Sequence, residues 1–131
     1  GDKTGDLSIP AIGRGLASAD IDGDGDLDLL LTQVGEPVRL LRNDQGTGHQ
    51  WIRIRTEGIS PGSWIECRQG ESVQRQMIGT TRSYLSQCEA VATFGLGNST
   101  EIPVITVLEQ GKSAYTFEPE GLNRTLSIPV K

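Results

Sequence analysis

The stretch Asp20-Ile21-Asp22-Gly23-Asp24-Gly25-Asp26-Leu27-Asp28 places a carboxylate at every second position. No other segment restricts the chain so strongly. Carboxylates a few ångström apart repel one another, and physiological salt screens them only beyond about 8 Å. Such a run either stays solvated or folds round a cation. Gly23 and Gly25 favour the second arrangement, because each can take φ > 0 and let the backbone curl its carboxylates inward. The pattern D-x-D-x-D-G-x-x-D offers oxygens at alternate loop positions, and Ca²⁺ takes about 6–8 hard oxygens at about 2.3–2.6 Å. Asp20, Asp22, Asp24 and Asp28 are expected to give side-chain oxygens, and Asp26 its backbone carbonyl. The alternative is an acidic, solvated turn that holds no metal.

An EF-hand begins the same way but needs a Glu at the twelfth loop position and a helix on each side. Leu31 stands at that position. Gly13 to Ala19 and Leu27 to Thr32 are too short for capped helices and read as strands. The loop is therefore expected to turn the chain between two strands.

The formal charge is −5, from 17 acidic and 12 basic residues. The loop holds five of the acids, so the remainder carries 12 of each sign. The acidity thus describes a local site and no acidic surface field. A basic stripe for nucleic acid is absent; Arg53 and Arg55 alternate on one strand and read as its solvated face. No apolar run approaches the ~18 residues of a transmembrane helix, and no signal peptide is present. The chain opens Gly-Asp-Lys without an initiator Met, which points to a piece of a longer protein or to a processed one.

Along the chain, residues 1 to 12 read as a tail. Leu16–Ala19, Leu27–Gln33 and Val38–Arg42 are strands, the second expected to be buried on both faces. Asn43-Asp44-Gln45-Gly46-Thr47-Gly48 is a dense turn signal and the expected boundary between domains 1–45 and 46–131. Beyond it Trp51–Thr56, Ser63–Arg68, Ser72–Ile78, Ser83–Leu85, Val91–Phe94, Ile102–Leu108, Ala114–Phe117 and Thr125–Ile128 read as short strands at roughly ten-residue spacing. That predicts an all-β fold, a calcium-loop hairpin followed by an antiparallel sandwich or barrel. Cys67 and Cys88 would close a loop of about 20 residues if bonded, worth about 3 kcal/mol in the chain-entropy picture. An even cysteine count with a calcium loop favours that bridge; two independent buried thiols are the alternative.

Two stretches resemble known families. Gly15 to Leu29, with Leu40-Leu41-Arg42-Asn43-Asp44 after it, resembles one FG-GAP/VCBS-type calcium-binding propeller repeat. Residues 50 to 130 resemble the ASPIC/UnbV domain through Trp51-Ile52-Arg53-Ile54, Gly62-Ser63-Trp64-Ile65-Glu66, Ser83-Tyr84-Leu85-Ser86-Gln87 and Phe94-Gly95-Leu96-Gly97. Thr81-Arg82-Ser83 stands where that family carries Gly-Ser-Gly. The resemblance implies a secreted or cell-surface protein, further repeats upstream of the chain, and no catalytic residue.

Other chemistries are conceivable from the sequence. His49 with Ser83 or Ser86 could start a Ser-His pair, but it sits in a turn without a nucleophile elbow. Gly95-Leu96-Gly97 lacks the helix that a phosphate loop needs. Trp51, Trp64, Tyr84 and Tyr115 could form a sugar-stacking face, the alternative being that they pack the core. Asn98-Ser99-Thr100 and Asn123-Arg124-Thr125 fit the glycosylation sequon and otherwise read as turns. The expectation is a non-enzymatic extracellular module with structural Ca²⁺, made for adhesion or for binding a protein or glycan in the matrix. A carbohydrate-binding module is the alternative.

Overall fold

Alternating apolar residues separated by Gly, Pro and Asn turns make this chain all-β, with sheets that do not close into a barrel. The computed structural model describes residues 5–44 and 48–128, and the expected division between residues 45 and 46 lies outside them. A short 3₁₀ turn, Gly5–Ser8, precedes the strands. These are β1 (Gly13–Ala19), β2 (Asp28–Gln33), β3 (Arg39–Leu41), β4 (Gln50–Arg55), β5 (Trp64–Gln69), β6 (Ser72–Met77), β7 (Thr81–Ser83), β8 (Ser86–Gln87), β9 (Val91–Gly97), β10 (Val104–Leu108), β11 (Tyr115–Phe117) and β12 (Arg124–Ser127). Among the described residues no helix is long and apolar enough to cross a membrane. The chain forms two units, Gly1–Gly46 with Thr80–Glu89, and Thr47–Gly79 with Ala90–Lys131.

In the first unit β1, β2 and β3 form an antiparallel meander, with Ala19 opposite Asp28 and Leu30 opposite Leu40. The acidic loop closes the first of these hairpins, as its flanks predict. β2 is not buried on both faces: Leu30 is 39% exposed, and Thr32 on the same face is exposed too. The β7–β8 hairpin also belongs to this unit. It lies so close to β1 that a Cβ on Gly15 would come within 2.4 Å of Ser86 Oγ and 3.3 Å of the Tyr84 carbonyl. Only glycine allows that approach. Of Ser83-Tyr84-Leu85, expected as a strand, Ser83 ends β7 and Tyr84-Leu85 form a tight turn, because Ser83 pairs with Ser86 across it.

The second unit is a two-sheet sandwich, β11-β10-β5-β6 against β12-β4-β9. Ile65, Cys67, Ile105 and Val107 from one sheet meet Ile52, Ile54, Ala92, Phe94 and Leu96 from the other in a single apolar core. Period-two alternation is what lets each strand place these residues inward. β12 pairs with β4 in parallel, the one exception to the antiparallel order expected for the described strands. The edges of β6 and β9 are tied by side chains. Gln76 Nε2 donates to the Thr93 carbonyl, Thr93 N–H donates back to Gln76 Oε1 at 3.2 Å, and Gln74 Nε2 donates to the Gly95 carbonyl at 2.7 Å. Backbone groups that would otherwise invite a foreign strand are thereby occupied. Arg53 is not solvated: it is 6% exposed, and its Nε donates to Thr93 Oγ1 at 3.4 Å.

The expected disulfide is not formed; Cys67 and Cys88 are both free. Each has its own surroundings in a different unit. Cys67 faces the sandwich core, and burial pushes its thiol up to about 11. Cys88 Sγ accepts from the N–H of Ser18 at 3.4 Å and from its hydroxyl at 3.7 Å. A thiol count under non-reducing, denaturing conditions should therefore give two. In the native protein at pH 8 Cys67 should stay unmodified by a thiol reagent until the sandwich unfolds, since the thiolate is the reactive form.

Candidate metal centre

The loop between β1 and β2 is shaped by its own carboxylates. Asp20 Oδ1 and Oδ2 accept from the N–H groups of Gly23 at 2.7 Å and Gly25 at 3.1 Å. Asp22 Oδ1 accepts from Asp24 N–H at 3.4 Å, and Asp24 Oδ1 from Asp26 N–H at 2.9 Å. These bonds curl the chain, with Gly23 and Gly25 at φ of 83° and 96°. Asp28, the first residue of β2, is 1% exposed. Its Oδ2 accepts from Ile21 N–H at 2.9 Å and its Oδ1 from Asn43 N–H at 2.8 Å. One carboxylate thus joins the start of the loop to the chain leaving β3.

Carboxylate oxygens of Asp20, Asp22 and Asp28 all lie within 4.8 Å of one another, and so do those of Asp22, Asp24 and Asp44. Two ligands on opposite sides of one Ca²⁺ are themselves about 5 Å apart, so either set fits a single coordination sphere. Donors that are all hard oxygens suit Ca²⁺ or Mg²⁺ over softer metals. Asp26 contributes a backbone N–H to the loop, and its carboxylate is in neither group. In the sequence Asp44 reads as part of a turn and of the stretch that resembles the end of a repeat, and is not among the expected metal ligands. Its signal lay in the hairpin register: with Leu30 opposite Leu40, the residues after β3 return beside Asp28. Arg42 lies there too, pairing with Asp44 at 2.7 Å and Asp22 at 3.7 Å. The hydrogen bond and charge of Asp44 hold the Arg42 guanidinium above its usual range. Glu89 Oε1 accepts from Asp20 N–H at 3.3 Å.

The four aromatics considered for sugar stacking do not form one face. Tyr115 lies opposite Val107, stacks with Phe117 at 6.4 Å between ring centroids and packs on the core. Trp51, next to inward Ile52, takes the outer side of its sheet, whereas Trp64, next to inward Ile65, takes the outer side of the other. Tyr84 is 69% exposed at the hairpin turn of the first unit. His49 is exposed ahead of β4, and the Ser86 hydroxyl donates to the Tyr84 carbonyl at 3.0 Å. Asn123, in the second sequon, serves as a turn residue at φ 54°; its Oδ1 accepts from Trp51 N–H at 3.0 Å and its Nδ2 donates to Gln50 Oε1 at 2.9 Å.

Two further carboxylates of the sandwich are held by cations. Glu66, 7% exposed, receives Arg75 Nε at 2.8 Å and Nη2 at 2.7 Å on Oε2, and Arg68 Nη2 at 2.9 Å on Oε1. Glu109 receives Lys112 Nζ at 2.9 Å and the Ser60 hydroxyl at 2.8 Å. Arg75 first, then Arg68, pull Glu66 below the usual carboxylate range; Lys112 and Ser60 do the same to Glu109.

These features define an all-β module of two units, with an acidic oxygen cluster in the hairpin loop of one and an apolar sandwich in the other. Residues 54–130 match the family model described as ASPIC and UnbV, and the chain belongs to that family. Cartilage acidic protein 1 of Mus musculus is 30% identical over 125 residues, which cover 88% of this chain and 19% of that protein. The Xenopus tropicalis protein of the same name is 31% identical over 134 residues, covering 95% of this chain and 21% of its own length. The Homo sapiens one is 31% identical over 125 residues, with 88% and 19% covered. The chain therefore spans about a fifth of the length of these relatives.

Asp28→Ala should remove the acceptor of the part-buried Ile21 and Asn43 N–H groups and lower the stability of the first unit by about 1–3 kcal/mol, even in chelator. Asp28→Asn, which keeps one acceptor oxygen, should cost less; denaturant unfolding of chelated protein measures both. A second expectation concerns Glu66. Its folded pKa lies below the unfolded one, so its contribution is present above the ordinary glutamate value of about 4.3 and is lost as pH falls through the depressed value. Melting temperature should decline over that acid range, and Glu66→Gln should flatten the decline.

Proposed function

We propose that this chain is a non-catalytic, calcium-stabilised extracellular module that mediates surface or matrix interaction. The convergence of the Asp20, Asp22 and Asp28 oxygens within 4.8 Å carries the calcium part of the reading. Five carboxylates in one loop repel one another, and a divalent cation among them offsets that repulsion far better than a guanidinium at the rim. Asp20, Asp22, Asp24 and Asp28 would hold the ion through side chains and Asp26 through its carbonyl, with Asp44 as a further carboxylate. Such an ion supplies charge balance and rigidity. The extracellular part rests on relatives named for cartilage.

The loop with its flanking strands is read as one FG-GAP/VCBS-type repeat that stacks on further repeats of a longer protein. What supports this is the apolar surface of the first unit, where Leu16, Leu30, Val38 and Leu40 are all exposed. A single repeat does not bury its own faces, and a neighbouring repeat would cover them.

With a dissociation constant of about 10 μM and about 1 mM free Ca²⁺, binding adds about 2.7 kcal/mol to folding. Melting temperature should rise with Ca²⁺ and fall with chelator, and Asp22→Ala should remove the difference. A melting curve that chelator leaves unmoved sinks the calcium reading.

A further inference from the structure

The outer face of the β11-β10-β5-β6 sheet has a construction that neither the core nor the calcium reading explains. Strand register sets it out in rows. Met77, Trp64 and Leu108 lie side by side in one row, and Arg75, Glu66 and Thr106 in the next. Trp64 is 43% exposed and Met77 53%, so the row is an open apolar strip. Beside Trp64 is a cleft of about 370 Å³, lined also by Leu108, Glu109, Gln110 and Lys112. An indole floor with a hydroxyl-pairing rim matches a pyranose, which has an apolar C–H face and a polar edge. The Glu109 carboxylate and the Lys112 ammonium, already fixed to each other, can accept from and donate to sugar hydroxyls.

The next row adds a charge preference. Glu66 is buried on a face that is otherwise open, because two guanidinium groups cover it. Arg75 engages Glu66 through Nε and Nη2, so its Nη1 is turned away from that carboxylate. One carboxylate against two arginines leaves positive charge; with Glu109 and Lys112 counted, the face is +1 on a chain of −5. Buried ion pairs add little stability by themselves. This one holds two guanidinium groups ready on the surface, and Arg takes carboxylates in paired hydrogen bonds. Rows two residues apart along a strand are about 7 Å apart, the reach from a pyranose ring on Trp64 to its own or a neighbouring ring's carboxylate at Arg75.

We propose that this face binds a uronate-bearing saccharide chain, with one ring on Trp64, its hydroxyls at Glu109 and Lys112, and a carboxylate at Arg75 and Arg68. The inference rests on the matrix-facing reading above and names the ligand class. The test uses the full chain in Ca²⁺ and in a Trp51→Phe background, so that emission reports Trp64. Galacturonate oligomers should shift or quench that emission, and their methyl esters should bind about tenfold more weakly. Trp64→Ala should lose at least about tenfold in affinity, read by calorimetry. Arg75→Gln, which leaves Arg68 in place, should lose most of the preference for acid over ester, and Arg75→Lys, which keeps the charge, should restore part of it; melting curves check that each variant is folded. Unchanged Trp64 emission at millimolar oligomer overturns the proposal, as does an Arg75→Gln variant that prefers the acid as strongly as the unaltered chain does. Oligoglutamate competing as well as oligogalacturonate also overturns it, in favour of an acidic peptide. The Ca²⁺ melting shift on the same sample separates the two readings: a shift without sugar binding rejects the saccharide and leaves the calcium module standing.

Discussion

The first unit depends on the burial of one negative charge. Placing a carboxylate out of water is costly unless hydrogen bonds and charge replace the lost hydration. Asp28 is almost fully buried, and backbone N–H groups from two separate segments meet its oxygens. Ile21 comes from the start of the acidic loop and Asn43 from the chain that leaves β3. The position of Asp28 therefore sets where the loop begins and where the third strand ends. Asp20, Asp22 and Asp24 follow from that anchor, each accepting from a nearby backbone N–H of the loop. Around that anchor the carboxylate oxygens of Asp20, Asp22 and Asp28 come within 4.8 Å of one another.

The second unit is held by different physics. Its core is a contiguous set of Ile, Val, Leu and Phe side chains between two sheets, with Phe94, Ile52, Ile54, Ile65 and Ile105 fully buried. Burial of each such side chain is worth about 1.5–3 kcal/mol, so no metal is required to hold it. The polar burdens are resolved locally. Arg53 reaches Thr93, the glutamine amides occupy the open edge of β9, and Glu66 lies beneath two arginines. A module with a self-sufficient core is free to present unusual groups on its outside.

Much of this was legible in the sequence, and the reason is periodicity. Alternation gave strands β4, β5, β6 and β10 nearly to the residue, because a half-buried sheet admits only period two. The acidic loop was legible as a turn between strands because neither flank had a helical repeat. What escaped depends on neighbours distant in the chain. Arg53 reads as solvated by alternation, yet it is buried and hydrogen-bonded to Thr93 on β9. The four aromatics look alike as letters, yet register sends Tyr115 inward and Trp51 and Trp64 to opposite outer sides. Asp44 joins the acidic group only because β3 returns antiparallel to β2, and the parallel pairing of β12 with β4 leaves no mark in either strand.

The Ser83–Ser86 turn shows a local rule overridden. A two-residue hairpin turn calls for Gly or Asn, since such turns need φ > 0. Here Leu85 takes φ 47° while 89% exposed, a conformation that costs an L-residue roughly 1–2 kcal/mol. No turn signal was therefore visible, and Tyr84-Leu85 read as strand. What holds the turn is the Ser86 hydroxyl bonded to the Tyr84 carbonyl within it and, from outside, the bare Gly15 backbone of β1 against which the hairpin packs. A side chain at residue 15 would push the hairpin off and release the strain at Leu85. The glycine just ahead of the acidic loop and the leucine some seventy residues later are thus one structural element, and neither can be understood from its own neighbourhood in the sequence.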